Sequence, residues 1–228
     1  MDFDHKGYTP LWTSVVGSGM WSNSQPNDID LATIYCADTH KILRGENIHS
    51  TFPNIKYRDE KTYGDFDVEE SFMEIGHLIN LLIKGNVNAI WNTCSPRLSV
   101  KSPMKYSVIH YDLMDIVNSN LSKESYKSIH GMIVSQYNDK VKRAKAVNMP
   151  EGKAYRNAIR TANFGIHLLD ENKLKFEGFP KTYIPTEQEM QDAIIALDMS
   201  YEKSKLPDKP NEELFRDFLY HVRLGFMV

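Results

Sequence analysis

Apolar residues in the first hundred positions come in short runs bounded by glycine, asparagine and aspartate, the pattern of short strands alternating with helices. Leu11-Trp-Thr-Ser-Val-Val16 is such a run, and it stops at Gly17-Ser18-Gly19. It predicts a buried strand entering a tight turn. A second strand is expected over Asp28-Ile-Asp-Leu-Ala-Thr-Ile-Tyr35, where period-two alternation sends Ile29 into the core and its two acidic neighbours the other way. A third, Phe66-Asp-Val-Glu-Glu-Ser-Phe72, leads into the apolar stretch Glu74-Ile-Gly-His-Leu-Ile-Asn-Leu-Leu-Ile83, which predicts a helix. Ala89-Ile-Trp-Asn-Thr-Cys94 predicts another, with Asn88 at its start as the capping residue.

From about residue 108 the period changes to that of helices. Met190, Ala193, Ile194, Leu197 and Tyr201 form one apolar stripe and Leu214, Phe215, Phe218, Leu219 and Val222 another, with Pro207 and Pro210 between them. Leu174-Lys-Phe-Glu-Gly-Phe179 predicts a short strand or hairpin between two helical blocks. The fold class expected is α/β, of the α+β kind: a small mixed sheet with helices packed on it, over residues 1–105, and a mainly helical region over residues 106–228. The chain has no internal repeat and no low-complexity segment.

Composition narrows this only slightly. With 228 residues, 41% of them hydrophobic, the chain can bury a substantial core. No run of about 18 apolar residues occurs and Met-Asp-Phe-Asp-His lacks the pattern of a signal peptide, so no membrane partner and a cytoplasmic location are expected. Cys36 and Cys94 have no CxxC spacing and are expected to be reduced core thiols; the eight histidines form no metal-ligand set. A net charge of −3 excludes a wholesale polyanion binder and no DNA-binding motif is present, yet a local basic groove remains open. Lys140, Lys142, Arg143, Lys145, Lys153, Arg156 and Arg160 supply one, with Tyr137 and Tyr155 interleaved for stacking.

The chemistry is concentrated near the N-terminus. Asp28 and Asp30 are two apart in a predicted strand, so their carboxylates project to one side and can grip the same divalent ions. Two Mg²⁺ ions about 3.5–4 Å apart suit transfer from a nucleoside triphosphate, activating the attacking oxygen and neutralising phosphate charge. Gly17 and Ser18 stand at the end of the preceding strand, where small residues let backbone N–H groups and a hydroxyl approach phosphate oxygens. Lys153, Arg156, Asn157 and Arg160 share one face of a predicted helix and are expected to turn toward the cleft, with the cations on phosphate. Asn86 and Asn88 can bond a base edge or a ribose, or cap a helix.

Gly17-Ser18 followed by Asp28 and Asp30 resembles the signature of the polymerase β superfamily of nucleotidyltransferases. Within it the chain looks like the RNA-repair-associated predicted nucleotidyltransferases, the RlaP-like family. Lys84-Gly-Asn-Val-Asn88 ending at Ser95-Pro96 resembles that family's stretch after a leucine-rich helix; Ser135-Gln136, Lys153 with Arg160, and Ser204-Lys-Leu-Pro-Asp208 resemble its later motifs. The sequence departs from the pattern at Trp21, Ser22, Asn27, Val87 and Asn157. The resemblance implies transfer of a nucleoside monophosphate from an NTP to a hydroxyl, an RNA or tRNA end being favoured, with release of pyrophosphate. It also implies Mg²⁺ or Mn²⁺, two ions, on Asp28, Asp30 and a third carboxylate that acts as ligand or general base. Counting back from the helix puts that third group on Glu69, whereas the apolar neighbours of Asp67 favour Asp67; Glu69 is preferred. The alternative function class is a non-catalytic nucleotide-binding or toxin-like regulatory module on the same fold, against which the intact aspartate pair argues.

Overall fold

The computed structural model describes residues 8–24, 27–143 and 152–226, apart from the side chains of 138–143. Strand β1 (Tyr8–Val15) ends in a single 3-10 turn (Gly17–Met20), and β2 (Ile29–Ala37) follows. Helix α1 (Thr39–Leu43), β3 (Thr51–Arg58), α2 (Glu60–Tyr63), β4 (Asp67–Glu74), α3 (Ile75–Ile83) and α4 (Val87–Cys94) complete the strand-rich part. Five longer helices then come in order: α5 (Ser107–Ser119), α6 (Ser125–Arg143), α7 (Lys153–Glu171), α8 (Glu187–Lys203) and α9 (Glu212–Gly225). The architecture is α+β, a four-stranded mixed sheet followed by helices, as the alternation of patterns along the chain predicts.

The strand order is β1-β2-β4-β3. β1 runs antiparallel to β2, β2 parallel to β4, and β4 antiparallel to β3. The parallel pair sits at the centre because α1, β3 and α2 intervene between β2 and β4, giving the long crossover a parallel connection needs. One sheet face carries Trp12, Ile34 and Cys36 and is covered by α3, α4 and α5. Ile75, Leu78, Ile79 and Leu82 recur at helical spacing along α3 and are all buried there. α9 packs on α3 and α5, while α6, α7 and α8 form a bundle joined to the sheet half through α4. The apolar core is therefore continuous from Trp12 through Trp91 and Phe164 to Leu197.

A buried ion pair fastens the last helix to the sheet. Glu74, the final residue of β4, receives the Arg223 guanidinium from α9 and caps α3 by accepting the Gly76 N–H at 2.6 Å. With both side chains largely withdrawn from water, removing one partner would leave an uncompensated buried charge, a loss of about 3–5 kcal/mol. Both cysteines are buried free thiols. No helix among the described residues is long and apolar enough to cross a membrane.

Two local expectations are corrected, and one strand was not anticipated. The strand or hairpin over residues 174–179 does not form; a single bridge, Ser22 to Glu177, takes its place. The alternating apolar side chains there plug the core instead: Phe176 packs on Trp21 and Phe164, and Phe176 O accepts the Ser22 N–H at 2.8 Å. The cap of α4 is Asn86, whose side chain accepts the Ala89 N–H at 3.0 Å, which leaves Asn88 inside the helix. Strand β3 carries no signal in the hydrophobic pattern, being an edge strand with Pro53 within it and most of its residues exposed.

Candidate active site

Asp30 is the second residue of β2, and its carboxylate lies against the turn that ends β1. Gly17 has φ +58°, and a Cβ placed on it would come within 2.0 Å of Asp30 Oδ2. Glycine is needed at this position twice over, for the left-handed backbone and for the carboxylate that occupies the side-chain space. The strands are locked at the same point by the Val16 N–H, which donates to Asp30 O at 2.8 Å. The Ser18 N–H donates to the Asp30 carboxylate, so the Gly-Ser turn seats this acid.

Parallel register sets Asp30 directly opposite Glu69 on β4. Asp28 precedes the strand and is exposed. Burial, followed by the negative charges of Asp28 and Glu69, raises the proton affinity of Asp30 above its ordinary value, while Lys153 and the Ser18 N–H work against this. Lys153, the first residue of α7, is thus brought near Asp30 from a distant part of the sequence. Glu69 is held from β3: Asn54 Nδ2 donates to Oε1 and Lys56 Nζ pairs with Oε2, both at 3.0 Å, and these contacts keep its carboxyl below the usual range. Asp67 lies one residue before the first β2–β4 pair, Ile29 with Val68, and forms an exposed ion pair with Arg58 that depresses its own carboxyl. Of the two, Glu69 is the one whose charge reaches Asp30.

Among the described residues no three His, Cys, Asp or Glu side chains stand close enough to enclose a metal ion. The donors nevertheless fit a hard divalent cation in kind. Asp28, Asp30 and Glu69 are all oxygen ligands, and after burial the charges of Asp28 and Glu69 are the next causes of the raised proton affinity of Asp30, so the three carboxylates act on one another. Closure of a ligand set requires Glu69 to exchange Lys56 and Asn54 for the ion.

Beside this acidic corner is a cavity of about 460 Å³, lined by Gly17 and Ser71 from the sheet half and by Asn88, Asn92, Gln136 and Arg160 from the helices. The Arg160 guanidinium lies 4.6 Å from the Trp21 ring centroid, and its Nη2 donates to Asn157 Oδ1 at 3.0 Å. Burial, and then the charge of Arg156, pull the Arg160 pKa down to about 10. Arg160 Nε and Gln136 Oε1 are both buried without a hydrogen-bond partner, one a donor and the other an acceptor. Buried polar atoms are rarely left unpaired, and both residues line this cavity.

Arg156 departs from the expected row of cleft-facing cations, because its Nη1 donates to Tyr183 O at 2.7 Å. Tyr137 and Tyr155 both donate their hydroxyls to Glu187. The side chains of Lys140, Lys142 and Arg143, and all of Lys145, lie outside the described residues. The sequence reading missed Ser71 and Asn92 as cavity residues. Asn92 could have been found as the i+4 neighbour of Asn88 on one helix face. Lys56 and Asn54 were hidden with β3.

Replacing Gly17 by alanine is expected to cost more stability than the same change at Gly45. Both have positive φ, which costs a non-glycine residue about 1–2 kcal/mol, but nothing lies within 4 Å of a Cβ at Gly45. Denaturant melts of the two variants measure the difference; equal losses would show that Asp30 moves aside freely.

No known protein family matches the chain, and no curated protein matches it. Among solved structures it is similar to the crystal structure of a nucleotidyltransferase-like protein from Exiguobacterium sibiricum 255-15, with 11% sequence identity over 95% of this chain and 69% of that one and a TM-score of 0.32. A likeness of that size leaves the chemistry to be argued from the residues of this chain.

Proposed function

We propose that the protein is a metal-dependent nucleotidyltransferase, which moves a nucleoside monophosphate from an NTP to a hydroxyl acceptor, an RNA or tRNA end being favoured, and releases pyrophosphate. The observation that supports this best is the acidic corner at the mouth of a polar cavity: Asp30 seated on Gly17, opposite Glu69 and close to Asp28. In this reading residues 1–105 contribute the carboxylates and residues 106–228 the cationic wall.

Asp28 and Asp30 hold Mg²⁺ or Mn²⁺, with Glu69 as the third ligand or as the base. Two such ions supply charge neutralisation on the triphosphate and activation of the attacking oxygen. The acceptor oxygen bonds to the α-phosphorus, the bond from that phosphorus to the α–β bridging oxygen breaks, and the hydroxyl proton passes to Glu69 once Lys56 has released it. Lys153 balances the negative charge of the phosphates. Arg160 Nε donates to, and Gln136 Oε1 accepts from, the polar edge of the nucleotide, while Trp21 holds the guanidinium in place. Arg156 lends positive charge from behind Arg160.

Incubation with α-labelled ATP, CTP, GTP or UTP, Mg²⁺ and total cellular RNA is expected to label the RNA, and Arg160→Ala to weaken labelling. Label on the protein alone would make the acceptor a side chain. Nucleotide binding with no incorporation into RNA, protein or small molecules would defeat the transferase reading and favour a module that only binds.

A further inference from the structure

Among the described residues that line the cavity beside the carboxylates, Arg160 is the only charged one. Its guanidinium is withdrawn from water, and the groups it touches are neutral: the face of Trp21 and the side-chain oxygen of Asn157. The charge that acts on it is that of Arg156, of the same sign. Buried charges are ordinarily paired, because a ring face or an amide supports a desolvated cation without balancing it. Elsewhere in this chain the rule is kept, where the buried Arg223 guanidinium sits on the Glu74 carboxylate. Arg160 has no such partner among the described residues.

The polar atoms of the same wall narrow the chemistry. Trp21 and Trp91 line the cavity on side chains that are almost wholly buried, and the indole Nε1 of each is without a hydrogen-bond partner. With Arg160 Nε they make three unpaired donors, against one unpaired acceptor, Gln136 Oε1. A neutral ligand would leave the guanidinium charge unbalanced. A carboxylate would balance it but has no O–H to give Gln136. Hydrogen phosphate supplies both, anionic oxygens for the guanidinium and indole N–H groups and one P–OH for the glutamine oxygen. Asp28, Asp30 and Glu69 are not in this lining, so a phosphate here is held by the protein alone.

We infer that this cavity is a metal-independent site for a phosphate group, free or at the end of an ester, with Arg160 as its countercharge. It goes beyond the transfer reading, in which phosphates are held through metal at Asp28 and Asp30, and is tested without metal. With EDTA present and ionic strength fixed by chloride, inorganic phosphate titrated into the full chain is expected to saturate a change in tryptophan fluorescence and to raise the melting temperature. Sulfate, which carries no O–H at neutral pH, is expected to bind more weakly. Arg160→Met is expected to weaken phosphate at least about tenfold, the loss of one charge-assisted hydrogen bond. Arg160→Gln, neutral but still polar, provides a second variant with the same expected loss. Lys153→Met, and Asp28→Asn with Asp30→Asn, are expected to keep phosphate affinity, because none of these residues lines the cavity. Ribose 5-phosphate bound more tightly than inorganic phosphate assigns the site to an ester, and the reverse order to the free ion. No saturable phosphate binding without metal, sulfate bound as tightly as phosphate, or full affinity in the folded Arg160 variants would overturn the inference. Transfer of label to RNA is a separate measurement, so the transfer reading and this one can fail independently.

Discussion

Replacing both Asp28 and Asp30 by asparagine is expected to abolish the rise in melting temperature that Mg²⁺ or Mn²⁺ with an NTP produces in the native chain. A ligand present at about 100 times its Kd stabilises the folded state by about 2.7 kcal/mol, worth roughly 5–10 °C for a chain of this size. The variant should fold, because asparagine is close to aspartate in shape and its side-chain oxygen still accepts the Ser18 N–H. Without metal at neutral pH it should be at least as stable as the native chain, since the repulsion among Asp28, Asp30 and Glu69 is relieved.

The pH dependence gives this prediction a second readout. Asp30 has a folded pKa above its ordinary 3.8, so the native state takes up that proton before the unfolded chain does. Its contribution to stability is complete below 3.8, is lost as pH rises through the folded value, and is absent at neutral pH. Metal-free melts of the native chain and the Asp30→Asn variant across that window should therefore differ in slope. An undiminished metal-dependent shift in the double variant would remove these carboxylates from the site.

Glu69→Gln is expected to lower turnover at least about 100-fold, the lower end for a lost general base, with a much smaller effect on nucleotide affinity. Asp67→Asn is expected to cost less, because Asp67 lies before the first β2–β4 pair and does not act on Asp30. Single-turnover rates and nucleotide titrations on both variants separate the two effects. If Asp67→Asn proves the more damaging, the third carboxylate is Asp67, and the β2–β4 register is not what selects it.

Much of this arrangement was legible before any tertiary contact was known. The Leu11–Val16 run, the Asp28–Tyr35 run and the stretch before α3 each became a strand where the alternation put it. The stripes at Met190 and Leu197, and at Phe215 and Val222, became buried helix faces. The errors have local causes. Asn86 and Asn88 are chemically identical two residues apart, and which of them caps α4 depends on where its first turn begins. Leu174 to Phe179 alternates like a strand because its aromatic residues alternate into a core built by Trp21 and Phe164.

What the sequence determined by itself was periodic or steric: which residues share a face, where helices run, and that glycine stands at position 17 just ahead of an Asp-x-Asp pair. Tertiary structure decided everything that depends on register and docking. Asp67 and Glu69 share one face of one strand, so only the parallel pairing of β4 with β2 could put Glu69 opposite Asp30. Gly17 turned out to be required by the carboxylate of Asp30, a contact across thirteen positions that no local pattern encodes. Arg156 and Arg160 lie one helical turn apart on the same face, yet one is tied to Tyr183 O and the other is buried on Trp21 with an unpaired nitrogen. Side-chain alternation repeats within a few residues and is written in the chain; the partner across a strand or beneath a helix is fixed only when distant segments pack.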